Sequence, residues 1–301
     1  MTLADGPDAA DTARTPDAAD TTASAAGTTG TADAADARIA HTAGAAETAD
    51  APRKKRRRGR RIAAWVFGII GGLILAAIIG ILVWSQVGVA QAEPEPLAAV
   101  KADDRIVITD DSAGVVLEPA SGATGVGLVF IPGGKVDAWA YAAKLSGLVA
   151  EQGVTVVITK PWLNLAFFDF RPLDSFTGLA PEVDTWIVGG HSLGGVRSCM
   201  LATQADALAL FGSYCSTDLS ASGLPVLSIS GSEDGLSTQE DIQSGKPLLP
   251  SDAEFVEIEG ASHSSFGDYG LQAGDGTPTI SDESMTDQLT ELVGGLAASL
   301  Q

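Results

Sequence analysis

The most constraining feature of this sequence is Ile62–Trp84, 23 consecutive residues without a charge. As an α-helix rising ~1.5 Å per residue, the run would be roughly 34 Å long, enough to cross a hydrocarbon core of about 30 Å. Trp65 and Trp84 stand near its two ends, where indoles prefer the membrane interface. Directly before it, residues 53–61 hold 8 basic side chains in 9 positions. Such a run can serve as a nucleic-acid patch, but next to an apolar span it reads as the cytoplasmic flank of a membrane helix. The expectation is a single-pass signal anchor in the cell membrane, N-terminus cytoplasmic and residues 85–301 outside. Ala90-Gln91-Ala92 has the small-x-small form of a signal-peptidase site. The apolar run, however, far exceeds the about 7–15 residues usual in a signal peptide, so an uncleaved anchor is expected.

The span divides the chain unequally. Residues 1–52 carry 9 acids and 2 arginines among Ala, Thr and Gly. Almost without large apolar side chains, that tail cannot offset the entropy of ordering and reads as disordered. Residues 85–104, which include Glu93-Pro94-Glu95-Pro96, read as a short stiff linker. Residues 105–301 remain for one folded domain, long enough for a substantial core. From Glu93 onward acids outnumber basic residues 29 to 8, so nucleic acid is not expected as a partner and polyanionic substrates are disfavoured. Two cysteines and three histidines are too few for a zinc cluster or a disulfide scaffold. Neither a metal nor a cofactor is expected.

Within the domain, short β-branched runs bounded by Gly, Pro and Asp predict eight strands. They fall at 105–109, 114–118, 127–131, 155–159, 185–188, 207–211, 225–230 and 254–259. Gly-Leu-Val-Phe-Ile at 127–131 and Pro-Val-Leu-Ser-Ile-Ser at 225–230 are apolar enough to be covered on both faces. Helical spacing predicts helices over 137–152, with Gly153 as C-cap, over 192–205, and over 282–299 behind Ser281 as N-cap. The first two strands suit a hairpin and the later ones suit crossovers, giving an α/β architecture: a mostly parallel sheet flanked by helices. Residues 160–184 are the least legible, with at most one short helix.

The chemistry gathers around Gly190-His191-Ser192-Leu193-Gly194, where a strand runs into a helix through a serine between glycines. That context turns a common string into a candidate nucleophile elbow with Ser192 in a strained turn. A serine hydroxyl needs a base. His41 lies in the tail beyond the membrane span and His191 adjoins the serine on a turn whose neighbours point apart, which leaves His263. The imidazole needs an acid to fix its tautomer. Asp234, in Gly231-Ser232-Glu233-Asp234-Gly235 after an apolar strand, is favoured over Glu233 and Asp218. Oxyanion donors are expected from the backbone of Leu193, just after the nucleophile, and of Gly134 in Pro132-Gly133-Gly134-Lys135, with Lys135 as the next choice.

These strings, with His263-Ser264-Ser265-Phe266-Gly267-Asp268-Tyr269-Gly270, give residues 105–300 a resemblance to the α/β-hydrolase superfamily. The domain is particularly similar to the compact family-5 branch related to dienelactone hydrolases. The resemblance implies an eight-stranded α/β-hydrolase fold and a Ser192–Asp234–His263 triad, but no particular substrate. Only 11 positions separate Tyr214 from Pro225, so no cap domain is expected there. The site is expected to be open, screened by 163–170, whose Phe167, Phe168 and Phe170 are expected in the core rather than as a substrate platform. Lys135, Phe266 and Tyr269 are candidate pocket residues. Outside the membrane, Cys199 and Cys215 are permitted to pair, and the sequence leaves open a disulfide or two buried thiols. The functional expectation is a membrane-anchored serine hydrolase acting on small or surface-exposed acyl esters, esterase- or lipase-like, through an acyl-enzyme. Two alternatives stay open: a catalytically silent binding module on the same fold, and acyl transfer to an envelope acceptor by the same triad.

Overall fold

The computed structural model describes residues 53–301. The expected disordered tail over 1–52, with His41, lies outside the described residues. A long helix, α1 (Arg53–Gln86), comes first, and its Arg57–Gln86 stretch is long and apolar enough to cross a membrane by length and composition. Gly59–Gln301 form one compact unit.

The expected linker is not a spacer. Glu93 ends an extended segment and Pro94 opens a second helix, α2 (Pro94–Lys101). A proline at the first helical position gives up an N–H that would have no partner there, so Pro94 starts the helix rather than stiffening a tether. Val100 of α2 is buried, and Ala90, Ala92 and Leu97 pack on the main core. Residues 87–101 therefore belong to the folded domain.

Eight strands form one sheet: β1 (Ile106–Asp110), β2 (Gly114–Pro119), β3 (Val126–Ile131), β4 (Thr155–Thr159), β5 (Thr185–His191), β6 (Ala207–Phe211), β7 (Val226–Gly231) and β8 (Glu254–Ile258). Their spatial order is β1-β2-β4-β3-β5-β6-β7-β8. The first two form the expected hairpin, β2 runs antiparallel to β4, and every remaining pair is parallel. Helices α3 (Ser146–Ala150), α4 (Asp174–Thr177), α5 (Leu193–Leu201), α6 (Gln239–Gly245) and α7 (Asp282–Ala298) complete the domain.

Side-chain alternation assigns each strand residue to one of two cores. Leu128, Phe130, Ala209 and Phe211 face the core shared with α2, α3 and α7. Val129, Ile131, Leu208 and Leu210 face the core shared with α5. Both sheet faces are covered, which is why β3 and β6 read as continuous apolar runs.

The helix expected over 137–152 is broken. Asp137 caps a 3-10 turn, Ala138–Tyr141, by accepting from the Trp139 N–H, and only Ser146–Ala150 is α-helical. The Ser146 hydroxyl donates to the Ala143 carbonyl, competing with regular helix bonding. The break also lets Tyr141 and Lys144 both turn inward. Lys144 is buried because Asp268 and Asp282 flank its ammonium at 2.8 and 2.9 Å.

Candidate active site

Parallel strands bring their carboxyl ends to one edge of the sheet, and the sequence-derived candidates meet there. At the end of β5, Ser192 has φ 54° and ψ −123°, a strained conformation for any non-glycine residue. It is held by its own N–H, which donates to Phe211 O at 3.1 Å, and by its carbonyl, which accepts from Ser213 Oγ at 2.7 Å. The flanking glycines are there for close approach. A Cβ on Gly194 would lie 1.9 Å from Ile131 O, and one on Gly190 would lie 2.6 Å from both Ile131 O and the Gly194 carbonyl carbon. Any side chain at either position would push β3, β5 and α5 apart.

Asp234 and His263 come together. His263 Nδ1 lies 2.9 and 3.1 Å from the two Asp234 carboxylate oxygens, and both side chains are buried. Asp234 Oδ1 also accepts from the Leu236 and Ser237 N–H groups, fixing the carboxylate at the end of β7. The rival acids stand elsewhere: Glu233 is exposed, and Asp218 is occupied by the N–H and hydroxyl of Ser220. Among the described residues the Ser192 hydroxyl and His263 Nε2 have no hydrogen-bond partner. An unliganded serine–imidazole pair is often long and tightens only around substrate. The elements that carry them adjoin. The rings of His191 and His263 lie 4.3 Å apart, and a Cβ on Gly212, next to Phe211, would be 3.0 Å from Asp234 Oδ2.

In the loop after β3, the N–H groups on either side of Gly134 are already engaged. The Gly133 N–H donates to the Tyr141 hydroxyl at 3.0 Å, and the Lys135 N–H to Asn164 O at 2.7 Å. The Gly134 N–H between them engages no acceptor among the described residues, and neither does that of Leu193 at the first turn of α5, where N–H groups lack helical partners. A Cβ on Gly134 would lie 2.8 Å from the Leu193 side chain, so the two residues stand side by side.

An alpha/beta hydrolase family model matches residues 127–287, just over half of the chain. The chain belongs to the alpha/beta hydrolase family. No curated protein matches it. Among solved structures, this alpha/beta hydrolase is similar to the esterase domain of a Rhodothermus marinus protein, at 15% identity over 64% of this chain and 96% of that one, TM-score 0.48. It is also similar to an alpha-beta serine hydrolase homologue from Coxiella burnetii, at 14% identity over 64% and 97%, TM-score 0.45. A third is a lidless serine hydrolase, XC6422 from Xanthomonas campestris, at 16% identity over 64% and 94%, TM-score 0.45.

Three sequence-based assignments in this alpha/beta hydrolase are corrected. Lys135 does not present its ammonium to a pocket: it donates to Trp84 O at 2.9 Å and Val87 O at 2.7 Å, capping the end of α1. Phe266 is only 1% exposed and stacks on His191 with ring centroids 5.5 Å apart. The tight 3-10 turn His263–Phe266 tucks it under the imidazole rather than into an acyl pocket. Tyr269 is also buried, beside Tyr141 and His191. Conversely, Phe167, Phe168 and Phe170, expected in the core, are exposed. Cys199 and Cys215, left open by the sequence, form a disulfide with Cα atoms 5.6 Å apart, tying α5 to the loop after β6.

Sequence reasoning missed three supporting residues. The Tyr141 hydroxyl accepts from Gly133 N–H and shares a hydrogen bond of 3.0 Å with His191 Nδ1, linking the loop after β3 to the elbow. Burial, reinforced by the nearby His263, holds the His191 pKa well below 6.5. A neutral His191 places no charge against the imidazolium that His263 would have to form. Asp275 is the third. Its Oδ1 accepts from the N–H groups of His263 at 2.9 Å, Gly276 at 2.8 Å and Gly235 at 3.2 Å, and its Oδ2 from Ser264 at 2.8 Å. One carboxylate thus joins the loop carrying His263 to the loop carrying Asp234. Only the string Gly274-Asp275-Gly276, which reads as an ordinary turn, marks it in the sequence.

Proposed function

We propose that this protein is a serine hydrolase of carboxylic esters, tethered by α1 to a membrane with its catalytic domain on the side opposite the basic run. In this reading Ser192 Oγ attacks the acyl carbonyl while His263 Nε2 takes its proton. Asp234 holds the Nδ1–H tautomer and stabilises the imidazolium. The N–H groups of Leu193 and Gly134 receive the negative charge that develops on the carbonyl oxygen, in general the largest single catalytic contribution. The tetrahedral species collapses as His263 returns the proton to the leaving alcohol. Water, deprotonated by the same imidazole, then releases the acid from Ser192.

The observation that carries this reading is the meeting, at one sheet edge, of a strained serine, a carboxylate-buttressed imidazole and two N–H groups without acceptors. The test is fluorophosphonate labelling of the full chain in detergent beside its Ser192→Ala variant, with folding followed by circular dichroism. Stoichiometric labelling that disappears in the variant supports an activated Ser192. A folded wild-type protein that takes no label removes the hydrolase reading and favours a binding module. Deacylation of a labelled acyl group by water alone, with no acceptor added, separates hydrolysis from acyl transfer.

A further inference from the structure

The apolar helix does not end in a loose tether. Its last turn is bound to the loop that carries the oxyanion donor. Lys135 Nζ donates to the Trp84 and Val87 carbonyls and lies 4.1 Å from the centre of the Trp84 ring. Asn164 Nδ2 donates to Ser85 O at 3.1 Å, and Ser85 is fully buried. The chain just beyond is pinned as well, since the Ala90 N–H donates to Lys135 O at 2.8 Å and the Ala90 carbonyl accepts from Asp137 N–H at 2.9 Å. Gly134 precedes Lys135, one Cα step of about 3.8 Å along the chain. Trp84 is the last residue of the apolar span, and Trp and Lys together are the side chains that settle at a bilayer interface. With α1 spanning a membrane as proposed above, the loop after β3 is held where the helix leaves the hydrocarbon.

The second observation is the segment that shares this attachment. Residues 162–170, Trp-Leu-Asn-Leu-Ala-Phe-Phe-Asp-Phe, contain one acid, Asp169, which is buried and paired with Arg171. What the segment shows to solvent is apolar: Phe167 is 63% exposed, Phe170 74% and Trp162 52%. This patch stands on a domain with 29 acids against 8 basic residues beyond Glu93, so its freedom from exposed acid is a local departure from the general surface. Leu163 and Asn164 both adopt positive φ, 59° and 55°. That strained pair lets Asn164 bind Ser85 through its side chain and Lys135 N–H through its carbonyl. Leu165, next in the chain, reaches within 3.5 Å of where a Gly134 Cβ would stand. One segment thus touches the end of the membrane helix and the oxyanion glycine, and exposes four large aromatic side chains beside them.

We propose that this aromatic segment lies on the leaflet in which the C-terminal end of α1 is seated, and that the Ser192 site draws its acyl ester from that leaflet. The substrate class is an amphiphilic ester whose acyl chain partitions into the bilayer and whose ester group lies at headgroup depth. This rests on the serine-hydrolase reading. The occupant of the patch is the lipid surface: the helix apolar enough to span a membrane ends against the same segment, and exposed aromatic side chains without acids suit a bilayer interface.

The experiment uses the full chain in lipid nanodiscs and two esters of the same reactive phenol, a short water-soluble one and a long-chain one that partitions into the disc. The test variant is Phe167→Ser/Phe168→Ser/Phe170→Ser, whose substituted side chains are all exposed. The expected result is at least a 10-fold loss in kcat/KM on the partitioned ester, with less than a 2-fold change on the soluble one. A bimane on Phe167→Cys should also be quenched by brominated lipid chains, a readout that does not depend on turnover. Equal loss on both esters, no loss on either, or an unquenched bimane overturns the proposal and leaves the patch to a protein partner. If neither ester is cleaved and Ser192 takes no label while the bimane is quenched, the hydrolase reading has failed and the membrane contact stands alone.

Discussion

Replacing Asp275 with asparagine tests the clamp between the two loops. The carboxylate accepts four backbone N–H groups at 2.8–3.2 Å, three on Oδ1 and one on Oδ2. Asparagine has the same shape but only one acceptor oxygen. If that oxygen keeps the three donors on the Oδ1 side, the amide NH2 faces the Ser264 N–H, donor against donor. The loss is one charge-assisted bond plus weakening of three others, a few kcal/mol when fully buried. Asp275 is only partly buried, so water relieves some of this and about 2 kcal/mol is expected. For a unit of this size that corresponds to a fall of roughly 4–8 °C in Tm. Burial pushes the Asp275 carboxyl up, but the N–H groups of Ser264, His263 and Gly235 overcome it and hold its pKa below 3.8. A depressed folded pKa means the stabilisation is present above 3.8 and is lost as pH falls through the lower folded value. The gap between wild type and variant should thus be constant from pH 7 to about 5 and close only below 3.8. Because the clamp positions His263 without touching substrate, kcat on a soluble ester should fall on the order of 10-fold with KM little changed. Thermal melts across pH and steady-state kinetics check both. A D275N protein with wild-type Tm and kcat would refute the reasoning.

Three further outcomes are expected. Tyr141→Phe leaves the Gly133 N–H and His191 Nδ1 without their shared hydroxyl in a buried site, costing about 2–4 kcal/mol. It should also lower kcat by loosening the Gly134 donor, and a variant of wild-type stability in chemical denaturation would count against the network. Reducing the Cys199–Cys215 bridge, or Cys199→Ser/Cys215→Ser, should lower stability by about 3 kcal/mol, as expected for a loop of this length; insensitivity of Tm to a strong reductant contradicts it. Because His191 stays neutral in the fold, only the unfolded chain takes up its proton as pH drops below 6.5. Stability is then complete above that value and declines beneath it, by about 1.4 kcal/mol at one unit lower. His191→Gln should remove that part of the slope in melts between pH 7.5 and 5.5, and an unchanged slope would show that His191 is not its source.

Much of this architecture was legible because it rests on local pattern. All eight strands were found by β-branched runs, since strands covered on both faces must be apolar at nearly every position, as Val126–Ile131 and Ala207–Phe211 are. Their ends shifted by a residue or so, and β5 runs on to His191, because pairing with β3 and β6 sets where a ladder stops. Ser192 was legible because close approach admits only glycine at 190 and 194, a steric demand that marks the sequence directly. Asp234 was a candidate because it stands after an apolar strand, and His263 because His41 and His191 were eliminated.

The segments between strands were misread where distant partners govern them. Asp275 looks like a turn residue until the fold brings the His263 and Gly235 N–H groups to it. The helix pattern at 137–152 was real as an apolar face, but Tyr141 and Lys144 answer to His191, Asp268 and Asp282, and local periodicity gave way to them. Phe167, Phe168 and Phe170 looked like core because hydrophobicity does not say which surface a side chain will meet. The sequence by itself therefore determined the sheet, the apolar span and the candidate nucleophile, because each is imposed by repulsion or hydrophobicity acting over a few neighbouring residues. Tertiary structure alone decided that Lys135 caps the apolar helix, and that the helix end and the loop after β3 stand together. Those depend on hydrogen bonds such as Lys135 to Val87 and Asn164 to Ser85, between residues 48 and 79 positions apart, which no local spacing encodes.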